Sequence, residues 1–262
     1  MARGHLAFRM AGTRTAVESA YAESPLRLLT PGNHGTAAWA YTSTLGGGLV
    51  DGDRLELDIA VGPGARAFVS SQGPTRVFRS ARGCASETVA RVAEGAALVL
   101  VPDPTACFAG ARHLQRTEVT LAPRASLALW EVLSAGRERW GFTEVRSTLR
   151  VLPFLDETWL LDPAHGPLDA RMGRFGALGT LLLAGPLFGD TAGAIRARVD
   201  AGPVLPGAPL VESASPLRDG ALVLRLAAGS VQQLVSRLRS HLATLPSLLG
   251  DDPWRLDASV AA

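Results

Sequence analysis

The residues best equipped for chemistry are Cys107 and His113, six positions apart in Pro102-Asp103-Pro104-Thr105-Ala106-Cys107-Phe108-Ala109-Gly110-Ala111-Arg112-His113, with Asp103 opening the segment. A thiol, an imidazole and a carboxylate could together approach a soft or borderline divalent metal transiently. A closed metal site needs tighter spacing, and no Cys-x-x-Cys or His-x-x-x-His occurs. His5, His34, His113, His165 and His241 are scattered. The competing reading is a buried structural cysteine and a surface histidine. Two further carboxylates stand beside glycines, Asp53 after Gly52 and Glu138 after Gly136-Arg137; a turn and a salt bridge are their plain roles. Ser43, Ser70, Ser71, Ser134 and Ser147 lie in no Gly-x-Ser-x-Gly elbow, so no acyl-transfer nucleophile is marked.

The element positioning these groups begins at Leu45-Gly46-Gly47-Gly48-Leu49-Val50-Asp51-Gly52-Asp53. Gly46, Gly47, Gly48 and Gly52 allow positive φ or close approach of another segment, and predict a structural turn with Leu49 and Val50 buried. A phosphate-cradling loop ranks below that reading, because no Gly-Lys-Ser/Thr follows and the next element reads as a strand. Leu55, Leu57, Ile59 and Val61 alternate with polar residues or alanine, the period of a half-buried strand.

From there a unit recurs about every thirty residues. Val61-Gly62-Pro63-Gly64-Ala65, Val92-Ala93-Glu94-Gly95-Ala96 and Leu121-Ala122-Pro123-Arg124-Ala125 each lead into an apolar strand, and Val151-Leu152-Pro153-Phe154-Leu155 reads as a weaker fourth copy. The fold class expected is mainly β, an elongated β-helix-like or stacked two-sheet body, since one unit cannot bury its own apolar face. Ordinary hairpins at sandwich spacing are the alternative. Strands are also expected at Leu6–Met10, in the proline-bounded stretch 24–31, and at Ala37–Leu45, Leu178–Ala184, Ile195–Val199 and Ala221–Leu226. One helix is well marked. Ser230 and Gln233 form a capping box, Val231, Leu234, Val235, Leu238 and Leu242 fall at helical spacing, and Pro246 ends it. That apolar face serves either the parent domain or a partner. One domain over residues 1–250 and a loose tail over 251–262 complete the expectation.

Composition sets outer bounds. Of the 262 residues, 47% are hydrophobic and 19% charged, which fits a packed globular chain and excludes disorder. All 26 basic residues are arginine, dispersed along the chain, and a net charge of +2 implies no nucleic-acid partner. Two cysteines make no disulfide framework. Met1-Ala2-Arg3-Gly4-His5-Leu6 lacks the apolar core of a signal peptide, and no apolar run spans a bilayer; a cytoplasmic chain without membrane contact is expected.

Taken together, the motifs resemble the urease accessory protein UreD (UreH) family. The resemblance runs in order through Ser24-Pro25-Leu26-Arg27, Gly46 to Asp53, Ser71-Gln72-Gly73-Pro74-Thr75-Arg76-Val77-Phe78-Arg79, Leu100-Val101-Pro102-Asp103-Pro104, Cys107 to Arg112, Ser134-Ala135-Gly136-Arg137 and Arg171-Met172-Gly173-Arg174-Phe175. It implies a non-enzymatic, mostly β protein with one or two C-terminal helices, binding apo-urease, UreF and through it the GTPase UreG. It further implies delivery of nickel through an internal tunnel, with no tightly bound cofactor and only transient nickel(II). On that resemblance Asp53, Asp103 and Glu138, then Cys107 and His113, are expected along the ion route, and Val231, Leu234, Val235, Leu238 and Leu242 at UreF. Departures fall at Ser71-Gln72-Gly73-Pro74-Thr75-Arg76, where the family carries Thr-Gln-Ala-Ser/Thr-Thr-Lys, at the short segment Glu138-Arg139-Trp140-Gly141-Phe142, and at Pro253-Trp254-Arg255. Two other classes compete: an interaction solenoid unrelated to nickel, and a carbohydrate-active β-solenoid, for which no clear carboxylate pair is visible.

Overall fold

The computed structural model describes residues 1–255. Its strands, in chain order, are β1 (Ala2–Ala11), β2 (Arg14–Ala22), β3 (Leu26–Leu29), β4 (Ala38–Thr44), β5 (Arg54–Val61), β6 (Arg66–Ser71), β7 (Thr75–Val77), β8 (Cys84–Val92), β9 (Ala97–Leu100), β10 (Thr105–Cys107), β11 (Arg112–Leu121), β12 (Ser126–Ser134), β13 (Glu144–Leu152), β14 (Leu155–Leu161), β15 (Ala177–Ala184), β16 (Leu210–Pro216) and β17 (Leu222–Ala228). The helices are α1 (Leu168–Met172), α2 (Gly189–Asp200), α3 (Val231–His241) and α4 (Leu245–Leu249).

The thirty-residue unit is one coil of a β-solenoid-like stack. Each coil lays one strand in a first sheet and the next in a second. Thus β5, β8, β11 and β13 run parallel in the first, and β4, β6, β9 and β12 in the second. The first sheet has the order β14-β13-β11-β8-β5-β1-β2, and the second runs β16-β17-β15-β12-β9-β6-β4-β3 with β7 and β10 attached. The arcs between sheets share one conformational device. Gly64, Gly95 and Arg124 occupy the same place in successive coils with φ of +68°, +66° and +59°. A left-handed residue there swings the chain across to the other sheet.

The fourth copy departs from this pattern. Residues 151–155 form a hairpin, and β14 returns antiparallel to β13 within the first sheet. Its turn carries Leu152-Pro153 with no residue at positive φ, and a proline cannot supply one. Ile195–Val199 lies in α2 and not in a strand, because Ala192, Ile195 and Val199 share one helical face against the second sheet. The N-terminal segment forms two strands where one was expected, since Gly12 at φ +65° turns β1 back into β2. Pro246 sits in the first turn of α4, where a proline is tolerated, and α3 has already ended. Leu49 is fully buried, but Val50 is 54% exposed, as successive extended residues face opposite ways.

Helix α3 starts as the capping box predicts, Ser230 Oγ accepting the Gln233 N–H at 3.2 Å. Leu234, Leu238 and Leu242 are completely buried on the outer face of the second sheet. Each contributes roughly 1.5–3 kcal/mol of burial, which leaves these three no surface to offer a partner. The polar edge of the helix is fastened by Glu212 of β16. Glu212 accepts from Arg237 Nη2 at 2.6 Å and from His241 Nε2 at 2.5 Å, while Arg198 of α2 donates to His241 Nδ1. Of the expected tail, Asp251 accepts the His34 N–H at 3.0 Å and Trp254 stacks on Trp130 with 6.1 Å between ring centroids. The rest of that tail lies outside the described residues.

Candidate functional site

Between the two sheets the core is divided. One aliphatic cluster includes Leu57, Ile59, Val119, Leu129, Leu149 and Leu182; another includes Leu49, Cys84, Cys107, Trp140, Phe142 and Val145. A stripe of polar side chains separates them. In the first sheet Ser86, Gln115 and Ser147 are register partners on β8, β11 and β13, with Thr88 and Thr117 one inward step further. In the second sheet Thr42 pairs with Ser71, Ser71 Oγ bonds Asp103 Oδ2 at 3.2 Å, and Glu131 pairs with Thr180. The stripe crosses the strands, so it follows the stacking axis.

Two cavities lie on this stripe. The first, about 190 Å³, runs from exposed rim residues Gly47, Gln72, Gly73 and Pro74 past Ser71 and Asp103 to Thr117 and Glu131. The second, about 40 Å³, begins at Gln115 and Glu131 and continues past Ser147 and Thr180 to Glu157. Gln115 and Glu131 belong to both linings, so the carboxylate stands where the two spaces meet.

Glu131 projects from β12 across the sandwich. Thr117 Oγ1 donates to its Oε1 at 2.6 Å and Ser147 Oγ to its Oε2 at 2.9 Å. Burial pushes its carboxyl above the usual range, against the lowering effect of these hydroxyl bonds. Hydroxyl groups solvate the charge without cancelling it. A buried carboxylate with neutral partners costs stability, and the position favours a proton or a visiting cation.

The residues singled out by sequence are distributed unevenly about this passage. Asp103 lines the first cavity, its Oδ2 also accepting the Gly73 N–H at 2.8 Å. His113 is 2% exposed, contrary to a surface histidine; its Nε2 lies 3.4 Å from Ser86 Oγ, one side chain from the cavity. Burial lowers the pKa of His113 to about 4, so the ring is neutral. Cys107 is buried in the second cluster with its thiol pushed up to about 12. Asp53 and Glu138 line neither cavity. Asp53 accepts the Val50 N–H at 2.8 Å as a turn cap, and Glu138 is exposed in a loop. Among the described residues no three His, Cys, Asp or Glu side chains gather to hold a metal ion.

The glycine loop has two functions in the backbone. Gly46, Gly47 and Gly52 take φ of +84°, +71° and +87°. Gly48 does not, and serves instead by close approach, since a Cβ there would lie 2.3 Å from the Arg76 carbonyl oxygen. Sequence reasoning missed Glu131, Gln115, Thr117, Ser147 and Glu157. A signal was present: on two inward faces the apolar alternation breaks at a single residue, in Leu127-x-Leu129-x-Glu131-x-Leu133 and Val145-x-Ser147-x-Leu149-x-Val151. No helix among the described residues is long and apolar enough to cross a membrane.

Comparison with known proteins agrees with the whole length of this architecture. A family model described as UreD urease accessory protein matches residues 1–257. The urease accessory protein UreD of Sorangium cellulosum (strain So ce56) is 47% identical over 260 residues, covering 96% of this chain and 82% of the relative. That of Anaeromyxobacter sp. (strain Fw109-5) is 39% identical over 250 residues, covering 92% and 84%. The urease accessory protein D of Oryza sativa subsp. indica is 31% identical over 279 residues, covering 92% and 91%.

Proposed function

This chain belongs to the UreD family of urease accessory proteins, and from that premise we propose that it is a non-catalytic scaffold of urease maturation. In this reading it binds apo-urease together with UreF and UreG in the cytoplasm, and nickel(II) passes to the urease through the inter-sheet passage. The observation that carries the reading is Glu131, half-buried among hydroxyl donors where the two cavities meet.

A conduit must hold its ion weakly enough to release it. Hydroxyl, amide and single carboxylate oxygens are weak ligands for nickel, whereas a thiolate cage would trap it. The passage offers the weak set. Asp103 stands near the exposed rim, Glu131 lies at the middle, and Ser86, Gln115, Thr117 and Ser147 replace water around an ion in transit. Apolar clusters lie on both sides, so among the described residues the polar stripe is a route that a partly hydrated ion finds favourable.

Maturation reconstituted from apo-urease, nickel and the accessory proteins tests this. With Glu131→Gln in the full chain, the complex with urease should form at unchanged mass while nickel per urease falls. Full loading by that variant, or failure of the wild-type chain to co-purify with urease subunits, would overturn the reading.

A further inference from the structure

The second cavity ends on an ion pair. Glu157, on the edge strand β14, lines it, and Arg225 of β17 reaches over from the opposite sheet to bond the Glu157 carboxylate. Arg225 is the register partner of Thr180, which is itself the partner of Glu131. The guanidinium therefore takes the next place on the polar row after Glu131 and Thr180. The Glu157 charge is near enough to be felt at Glu131. One small cavity thus has two carboxylates on its lining, the inner one bonded by uncharged side chains and the outer one neutralised by an arginine.

The two partners differ in freedom. The Glu157 side chain is 17% exposed and the Arg225 side chain 37%, so the arginine has solvent to move into and the carboxylate does not. While paired, Arg225 cancels the Glu157 charge at the cavity lining, so a cation arriving from Glu131 finds no free carboxylate there. An ion pair this exposed is a modest restraint, a bias of about fivefold in population at most. Such a contact opens easily.

We propose that Arg225 gates the β14 end of the passage: bonded to Glu157 it closes that end to a divalent cation, and swung into solvent it leaves Glu157 as the next carboxylate the ion meets after Glu131. The proposal rests on the passage reading above and adds where the passage is controlled. Arg225 and Glu157 act on a hydrated or partly hydrated divalent cation through charge alone, with no bond made or broken.

Nickel(II) alone, mixed with the purified full chain in a stopped-flow instrument, tests it through quenching of tryptophan emission. Trp159 lines the second cavity, on the same face of β14 as Glu157. Arg225→Met should quench about fivefold faster than the wild type, the factor such a pair can supply, and the exchanged pair Glu157→Arg with Arg225→Glu should return the rate toward the wild type. A wild-type rate in Arg225→Met, with an unchanged melting curve, overturns the gate. Should Arg225→Met not fold, Arg225→Lys keeps the charge but loses the planar fork, and is expected between the two rates; a wild-type rate there also overturns the gate. Glu131→Gln separates the two ideas. If it leaves quenching untouched, the passage reading fails and the gate with it; if it slows quenching but Arg225 variants change nothing, the gate alone fails.

Discussion

Thr117 on β11 and Glu131 on β12 belong to opposite sheets, and the hydroxyl of one donates to the carboxylate of the other at 2.6 Å through the middle of the sandwich. Consecutive strands in the chain thus meet again across the core, joined by a polar contact where both sheets otherwise present aliphatic side chains. Desolvation of the carboxylate between Thr117 and Ser147 makes the site costly to the fold.

Stability should register that cost. Because burial raises the Glu131 carboxyl above its unfolded value near 4.5, the folded state binds the proton more tightly than the unfolded one. Stability then declines as pH rises from the unfolded value through the raised folded value. Glu131→Gln removes the carboxyl while keeping its shape. The variant should melt higher than the wild type at neutral pH, with the gap closing in acid, as read by melting temperature against pH. A wild-type advantage at neutral pH would contradict the assignment.

The arcs between sheets offer a test in which two small effects oppose each other. Arg124 holds φ +59° where its counterparts are Gly64 and Gly95. A left-handed non-glycine residue carries about 1–2 kcal/mol of strain. Against this stands the Arg124–Glu94 ion pair at 2.7 Å, with both side chains well over half exposed, and a surface pair of this kind contributes about 0–1 kcal/mol. Glycine also frees the unfolded chain, which offsets part of the gain. Arg124→Gly should therefore be stable to within about 1 kcal/mol of the wild type, on the stabilised side. Urea unfolding at constant m-value measures it.

The acid limb of the stability curve should belong to α3. Glu212 is penalised by burial, but the bonds from His241 and Arg237 outweigh this and hold its carboxyl down to about 2. A folded value below the unfolded 4.5 gives stability that is complete above the unfolded value and is lost as pH falls toward 2. A shift of that size is worth about 3 kcal/mol. Glu212→Gln should lose roughly that amount at neutral pH and converge with the wild type in strong acid. Removing the carboxylate leaves His241 and Arg237 without their acceptor, which also points to a loss of about 3 kcal/mol or more.

Much of the coil was legible because the turn chemistry repeats: Gly-Pro-Gly, Glu-Gly and Pro-Arg recur at one spacing, and the apolar strands after them follow the pleat. The fourth copy misled for a physical reason, since its apolar pattern matches the others while its turn lacks the left-handed residue that carries the chain across. Ile195 to Val199 misled through shortness, being too brief to distinguish a period of two from one of 3.6 until Ala192 is seen on the same face. The cavity lining was half legible. Asp103, noted in the segment 102–113, lines the first cavity, whereas Glu131 sits in an otherwise strand-like run, Leu127 to Leu133, where a single polar residue passes for an outward one. Its inward direction follows only from counting by twos from Leu127 and Leu129.

The thiol and the carboxylate first noted in the segment 102–113 can now be told apart by experiment. A metal ligand must be thiolate, and Cys107, buried in the cluster with Trp140 and Phe142, has its pKa pushed up to about 12. At neutral pH it remains protonated, away from the cavities. Asp103 lines the first cavity beside Ser71. Cys107→Ala should lower stability by about 1 kcal/mol, the cost of a small buried group, with nickel loading of urease unchanged. Asp103→Asn keeps an oxygen for the Gly73 N–H and removes the charge, so it should reduce nickel loading while the melting temperature moves little. The comparison of nickel per urease with melting temperature for the two variants decides the matter. Loading lost in Cys107→Ala at wild-type stability, or loading retained in Asp103→Asn, would place the ion on the thiol side of the core and away from the polar stripe.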